Sequence, residues 1–345
     1  MTESLPDSIP NVAALEEHLS RPSSGVVDAL SRLSGDLMLL GVGGKMGLSL
    51  SVMARRALDL AGKSNRVIGV SRFTRGGQAQ FTSRGVETIA CDLLDECQVA
   101  SLPDVENLVV MTGRKFGSTG DEPFTWAMNA LIPSIVCRRF PKSRLVVFST
   151  GNVYGLSPVG AGGSCEADTL QPAGEYAQSC LARERIYHYC CVREGIPLAI
   201  VRLNYACDLR YGVLVDLARR VRLKQPIDLA MGWFNTIWQQ DANTQALQAF
   251  DHLTAPPWVV NVTGPELLSV RTVCEQFGSR WGVPVTFTGA ESETALISRV
   301  DRSLAAFGSP SVSASRLIDW VADWIERDQP WLGKPTHFES RSGQF

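Results

Sequence analysis

Seven consecutive positions, Gly41-Val42-Gly43-Gly44-Lys45-Met46-Gly47, set four glycines and a lysine directly after the apolar run Leu37–Leu40. Glycines in such a turn let the chain fold back tightly and let backbone N–H groups approach a large anion. The positive end of a following helix adds to the attraction. Gly41, Gly43 and the neighbourhood of Gly47 approximate G-x-G-x-x-G, while Gly41, Gly44 and Gly47 give G-x-x-G-x-x-G. The chemistry implied is capture of a dinucleotide's diphosphate by this turn, Lys45 and Met46 included; a tight turn with no ligand is the competing reading. At the end of the expected second strand, Val70-Ser71-Arg72-Phe73-Thr74-Arg75 holds two arginines and no acid. An acid there bonds the adenosine ribose, whereas arginine accommodates a 2′-phosphate, so Ser71 and Arg72 favour NADP over NAD. Asp92, with Leu93 beside it, ends the third strand in a position to hydrogen-bond an adenine edge.

A turn of this kind is held by alternating strands and helices, and the apolar pattern supplies them. Continuous apolar runs at 37–40, 66–70, 86–90, 108–112, 145–149 and 198–203 read as buried strands. Helical spacing marks 48–61, 124–139 and 175–192. The fold class expected is α/β, a Rossmann-like doubly wound parallel sheet with a smaller, interleaved α+β substrate domain at the C-terminal side. Residues 1–35 form a helical arm (12–19 and 26–33), 36–205 the dinucleotide-binding domain, and 206–330 the substrate-binding region with segments returning to the sheet. That region is expected to hold helices at 213–223, 243–252, 268–281 and 314–327 and strands at 235–238, 258–262 and 285–288. Residues 331–345 read as a polar, loosely held tail.

Composition narrows the function classes. The 345 residues carry 33 Lys plus Arg against 35 Asp plus Glu, a net charge of -2, so no basic excess favours nucleic acid. No apolar run is long enough to span a membrane, and the opening MTESLPDSIP lacks the basic and apolar regions of a leader, which predicts a soluble, cytoplasmic protein. Nine cysteines without a C-x-x-C pair read as reduced, mostly buried thiols. His18, His188, His252 and His337 share no motif, and no metal is expected.

Phe148-Ser149-Thr150-Gly151-Asn152-Val153-Tyr154-Gly155, with Tyr176 following 26 residues after Thr150, resembles the extended short-chain dehydrogenase/reductases, the NAD-dependent epimerase/dehydratase family. The similarity spans about 36–330. It implies a strand-end Ser/Thr at Thr150 and a catalytic tyrosine at Tyr176. It also aligns Thr112-Gly113 with the family's T/A-G motif, Asn129 with a helix asparagine, and Lys115 with a lysine that reaches the cofactor in UDP-galactose 4-epimerases. Residues 261–264, Asn-Val-Thr-Gly, are similar to the family's C-terminal pattern. Arg202-Leu203-Asn204 resembles its R-x-x-N segment with one residue fewer. The family's dimers often pack the helices at 124–139 and 175–192 together, which implies a homodimer here by analogy.

Moving a hydride to or from a carbinol carbon needs a partner that moves the hydroxyl proton, and a tyrosinate near the working pH does so. A tyrosine ordinarily titrates near pH ~10, so it needs positive charge nearby. The family supplies this with a lysine four residues on; here that position is Cys180. Another cation replaces it, Lys45, Lys115 and Arg114 being on cofactor-facing loops, or the oxidised nicotinamide suffices, or the site binds nucleotide without turnover. Cys180 as a nucleophile is a sharper alternative, although a thiol in mid-helix is more often packing. The same reasoning expects Cys180→Lys to be tolerated structurally and to raise activity if charge is the missing element, a drop instead implying that the site uses the thiol's size or hydrogen bonding.

The reading is therefore an NAD(P)-dependent epimerase or oxidoreductase acting on a sugar or nucleotide-sugar hydroxyl or ketone, with Tyr176 as acid/base. Gly151-Asn152 in place of an Asp-Glu pair disfavours a dehydratase. Asn152, Asn204, Arg210 and Trp233 are candidate substrate contacts, with Tyr211, Asn235 and Trp238 of similar type. The alternative is a non-catalytic NAD(P)-binding regulator that has lost the lysine.

Overall fold

Seven short segments rich in Val, Leu and Ile become the strands of one parallel sheet because helices cover both of its faces. They are β1 Leu37–Leu40, β2 Val67–Ser71, β3 Glu87–Ala90, β4 Asn107–Val110, β5 Arg144–Thr150, β6 Leu198–Leu203 and β7 Trp258–Val262. The spatial order is β7-β6-β5-β4-β1-β2-β3 with every neighbouring pair parallel. This computed structural model describes residues 5–74 and 76–344. Arg75, one of the two arginines read at the end of β2, and the first four residues of the stretch read for a leader lie outside the described residues.

The order reverses between β1 and β4, and the carboxyl ends of those strands open a crevice where ligands bind in such sheets. The covering helices include α1 Val12–Leu19, α2 Ser24–Ser31, α3 Gly47–Leu60, α4 Ile132–Arg139, α5 Gly174–Glu194, α6 Val213–Arg222 and α7 Gln239–Gln248. The two arm helices are divided between two cores. Val26 and Leu30 of α2 pack with α3 and α7 beneath the sheet, while Leu15 and Leu19 of α1 join α6 and the helices Val270–Trp281 and Ala314–Glu326. Short helices at Gln78–Thr82, Glu96–Ala100 and Asp301–Phe307 carry too few residues to show a period in sequence.

Three local expectations are corrected. The single helix read over 124–139 is interrupted: a π-turn, Ala127–Leu131, separates Glu122–Trp126 from α4. Pro133 has no N–H to offer the Asn129 carbonyl, and the ladder widens so that Ile132 N–H bonds the Ala127 carbonyl instead. The tail is not loose. Phe338 is buried in the C-terminal core, and the N–H and hydroxyl of Thr336 donate to Asp216 Oδ2 at 2.7 and 2.6 Å. One aromatic ring and a satisfied carboxylate anchor a stretch whose composition is otherwise polar. Helix α7 also begins four residues before the expected 243, directly after the strand Ile237–Trp238.

A buried polar network fastens α5 to the sheet. Glu184 accepts from Ser149 Oγ at 2.5 Å and from Arg202 Nη2 at 2.7 Å, Arg202 Nη1 donates to Tyr154 Oη at 2.7 Å, and Tyr154 donates to Asn261 Oδ1 at 2.7 Å. Both charges are about 95% covered, each at 5% exposure. Replacing Arg202 with methionine strands the Glu184 carboxylate, and the expected loss is about 3–5 kcal/mol, read as a lowered urea midpoint at unchanged slope. No described helix is long and apolar enough to cross a membrane. Six of the nine cysteines are buried and all nine are free thiols, as packing residues would be.

Candidate functional site

The glycine turn closes over the end of β1. Gly41 holds φ at +91°, a conformation that favours glycine, and a Cβ there would sit 3.0 Å from the Thr112 backbone nitrogen. At Gly47 a Cβ would collide with the Val42 carbonyl, so the start of α3 packs directly on the turn. Helix α3 has no side-chain cap at Met46; the Gly47 N–H donates to the Gly44 carbonyl at 3.2 Å, and no side chain caps the N–H groups that follow.

Three arms of one cleft meet at this turn, and Gly44 and Gly113 line all three. The first runs past Gly41, Gly43, Ser71, Arg72, Asp92, Leu93 and Thr112. The second is a chamber bounded by Gly41, Met46, Thr112, Thr150, Asn152, Tyr176, Arg183 and Asn204. The third lies under α1, with Lys45, Lys115, Phe116, Arg84, Arg210 and Lys334 around it. The first two, end to end over an uncapped helix and a side-chain-free turn, fit an extended dinucleotide with its diphosphate on the glycines.

In the chamber, the Tyr176 hydroxyl is hydrogen-bonded with Thr150 and with Cys180. Burial, and then the Cys180 thiol beside it, push the phenol far above its ordinary range, while the Arg183 guanidinium and the Thr150 bond pull the other way. The phenol is thus held protonated. Thr150 Oγ1 also accepts from the Asn152 N–H at 3.2 Å, which fixes its rotamer.

Sequence reasoning missed Arg183. Tyr176, Cys180 and Arg183 fall at i, i+4 and i+7 on one face of α5, so the cation lies one turn beyond the cysteine. It is 5% exposed, donates from Nη1 to the Phe148 carbonyl at 3.1 Å and from Nη2 to Asn129 Oδ1 at 2.5 Å, and lines the chamber. Its Nε has no hydrogen-bond partner among the described residues. A Cβ at Gly113 would come within 2.7 Å of Nη2, which explains the glycine after Thr112: it makes room for the guanidinium. Extending the search for a cation by one helical turn past position 180 would have found it.

Asn129, at the π-turn, is wholly buried and holds both ends of this arrangement. Its Oδ1 accepts from the Arg114 N–H at 2.9 Å as well as from Arg183, and its Nδ2 donates to the Arg114 carbonyl and to Ser179 Oγ. It lines none of the three arms and acts through its neighbours. Cys180 is completely buried against Val153 and Tyr154. A lysine there would have to force four methylenes into a closed site beside Arg183, so the expectation that Cys180→Lys is simply tolerated does not survive the packing.

Lys45 and Lys115 project toward the C-terminal segments. Lys45 Nζ lies 2.7 Å from the centre of the Tyr211 ring and 5.5 Å from that of Phe116, and Lys115 Nζ donates to the Thr336 carbonyl at 3.1 Å. Burial lowers Lys45 to about 7, helped by the like charges of Lys115 and Lys334; burial lowers Lys115 to about 8. Asn204 donates to Asn235 Oδ1 and to the Leu296 carbonyl at the chamber wall. Arg210 is engaged with Asp208 at 3.0 Å and sits in the third arm. Trp233 lines none of the arms and packs against the C-terminal core. Among the described residues no cluster suited to a metal ion occurs.

No family model matches the sequence, and no curated protein matches it. Solved structures do. UDP-glucuronic acid 4-epimerase from Bacillus cereus, in complex with NAD, is 17% identical with a TM-score of 0.68, covering 85% of this chain and 99% of its own. The dTDP-glucose 4,6-dehydratase from Bacillus anthracis, also with NAD, is 14% identical with a TM-score of 0.68, covering 86% and 97%. A UDP-galactose 4-epimerase is 17% identical with a TM-score of 0.67, covering 85% and 99%. This chain has the fold of the extended short-chain dehydrogenase/reductases. The likeness read from Thr150, Tyr176 and the glycine turn thus holds for the fold, and the sheet order and the strand-end chamber agree with it. Within that fold the chain departs at Cys180, and it carries a buried arginine one turn further along α5.

Proposed function

We propose that the protein is an NAD(P)-dependent epimerase or oxidoreductase that acts on a sugar or nucleotide-sugar hydroxyl or ketone, with Tyr176 as the proton-transfer group. The observation that carries the reading is the Thr150–Tyr176 hydroxyl pair, set in a chamber that opens onto an uncapped, glycine-lined turn. The fold neighbours support it: two sugar-nucleotide 4-epimerases and a dehydratase, of which the UDP-glucuronic acid 4-epimerase and the dehydratase were solved with NAD. Either NAD or NADP suits the first arm; exposed Arg72 on its wall, with no acid at the end of β2, favours NADP.

The bound nicotinamide supplies hydride acceptance and return. Tyr176, protonated in its buried setting, donates the hydroxyl proton to a carbonyl oxygen in the reducing direction and takes it back in the oxidising one. Thr150 orients that oxygen, and Asn152 N–H keeps Thr150 in place. Arg183 supplies positive charge from the neighbouring turn and stabilises the phenolate whenever it forms. Gly151-Asn152 after Thr150 offers no additional acid/base pair, so elimination of water is not part of the proposal.

The test is to purify the protein, identify the dinucleotide it binds, and follow nicotinamide absorbance with a panel of sugars and nucleotide sugars. Tightly retained NAD with product of inverted configuration indicates an epimerase, and exchangeable NADP with net absorbance change a reductase. Bound dinucleotide without turnover on any member of the panel supports the second reading, a regulator, which the burial of Cys180 at the lysine position favours.

The same proposal includes a cytoplasmic homodimer. Leu131, Tyr189 and Val192 are 49%, 60% and 57% exposed on the helices that would pair, next to α4 and along α5. Leu131→Asp is expected to convert a dimer to a monomer in light scattering; a wild-type chain already monomeric at micromolar concentration overturns this part.

A further inference from the structure

The reaction chamber encloses about 280 Å³, just below the roughly 300–1,000 Å³ usual for small-molecule sites, and the nicotinamide end of a dinucleotide takes part of it. What bounds the remainder therefore decides what reaches Tyr176. The described residues that line the chamber all fall between Gly41 and Gln239 save Thr336, which the tail brings in. Thr336 is 3% exposed and bridges two sides of the chamber: its carbonyl accepts from Lys115 Nζ, on the loop after β4, at 3.1 Å, and its N–H and hydroxyl donate to Asp216 of α6. It lines neither of the other two arms, which places it on the substrate side of the cleft.

We propose that residues 336–343 are a specificity-determining strap, which closes the chamber on its substrate side and sets the upper size of the molecule that Tyr176 meets. That the chamber is the place of reaction rests on the reading under the previous heading; the strap's contacts do not. Beyond Thr336, Phe338 pins the chain in the C-terminal core, and Glu339 pairs with Arg220 at 2.9 Å. Arg341 donates to the Ala230 carbonyl at 3.0 Å and to the carbonyl and hydroxyl of Thr294 at 2.8 and 2.7 Å. Ser340, Arg341 and Gly343 border a small crevice together with Asn152, which also lines the chamber. The strap then meets the start of α5, two residues before Tyr176. A Cβ at Gly343 would collide with the Ala173 carbonyl, and one at Gly174 with the Gly343 carbonyl, so this closure needs both positions free of side chains. Residues 331–344 contain no helix or strand, and side chains at intervals hold the strap in place of a ladder of backbone bonds. A segment fastened that way loosens at its far half while the helices beneath stay folded.

A chain shortened to end at Phe338 keeps the core anchor and loses the far half of the strap, and Arg341→Ala loosens that half in the full chain. The probes are two neutral quenchers of the fluorescence of bound reduced dinucleotide, acrylamide and the bulkier succinimide. Hydrogen bonds from a charged donor shift such a closure about ten-fold, so both variants are expected to raise quenching by succinimide about that much and quenching by acrylamide far less. Dinucleotide affinity stays little changed. Succinimide that quenches both variants as it quenches the wild type overturns the proposal; should the shortened chain fail to fold, the Arg341→Ala comparison decides alone. A chain that binds no dinucleotide defeats the reading under the previous heading only. The strap is then decided in the free chain by alkylation of Cys180, whose thiol lies behind the Tyr176 hydroxyl to which it is hydrogen-bonded. Its labelling by N-ethylmaleimide, followed by peptide mass spectrometry, is expected to speed up in the same two variants, and an unchanged rate overturns the strap.

Discussion

Tyr176→Phe abolishes turnover and leaves dinucleotide affinity almost unchanged. The phenylalanine ring keeps the apolar contacts of Tyr176 with Val153, Tyr154 and Cys180, so the chamber retains its shape. What disappears is the hydroxyl bonded to Thr150, and with it the route by which a substrate proton leaves or arrives. Loss of a positioned acid/base group costs about 10²- to 10⁴-fold in rate. The affinity for dinucleotide rests instead on the glycine turn and the first arm, neither of which Tyr176 lines in full. Steady-state rates with the substrate found by the panel, and dinucleotide titration by fluorescence, measure the two quantities separately. Activity retained within a few-fold removes Tyr176 from the mechanism.

Arg183→Met is expected to slow the oxidising direction about ten- to a hundred-fold at neutral pH and to move the rising, acid-side limb of the pH–rate profile to higher pH. The reasoning is electrostatic. The Tyr176 hydroxyl faces Thr150 from β5 and Cys180 and Arg183 from its own helix, while Lys115, on the loop after β4, acts on Cys180. Of these, Arg183 supplies the main opposition to burial. Removing it disfavours phenolate, so the base form appears only at higher pH and the rate limb follows it. A purely structural role predicts something else: losing the bonds to Asn129 Oδ1 and the Phe148 carbonyl lowers thermal stability without shifting the limb. Adding Cys180→Lys to Arg183→Met returns the charge to the neighbouring turn and is expected to recover part of the rate, because the vacated guanidinium volume relieves the crowding that the single Cys180→Lys change meets. A pH profile identical to wild type in Arg183→Met would falsify the assignment of Arg183 as the positioning cation.

Much of the architecture was legible without coordinates. Continuous apolar runs such as Leu37–Leu40 and Leu198–Leu203 mark strands covered on both faces, and the glycines after the first of them mark the turn at the sheet's switch point. The pairing of Thr150 with Tyr176 came from the resemblance to the family, whereas the strand that ends at Thr150 and the helix that carries Tyr176 follow from the apolar pattern. Those are local properties: periodicity and steric exclusion act between residues close in sequence, and a single chain displays them directly.

Tertiary structure alone decided how the missing lysine is compensated. The i+7 position of Arg183 was visible, but its desolvation, its bonds to Asn129 and Phe148, and the space left by Gly113 come from segments about 35 to 70 residues away in the chain. The same holds for the gathering of Lys45, Lys115 and Lys334, drawn from a turn, a loop and the tail, and for the docking of that tail through Phe338 and Thr336. Electrostatic free energy depends on distance in space and on how much water remains between charges, and neither is written in the order of the residues.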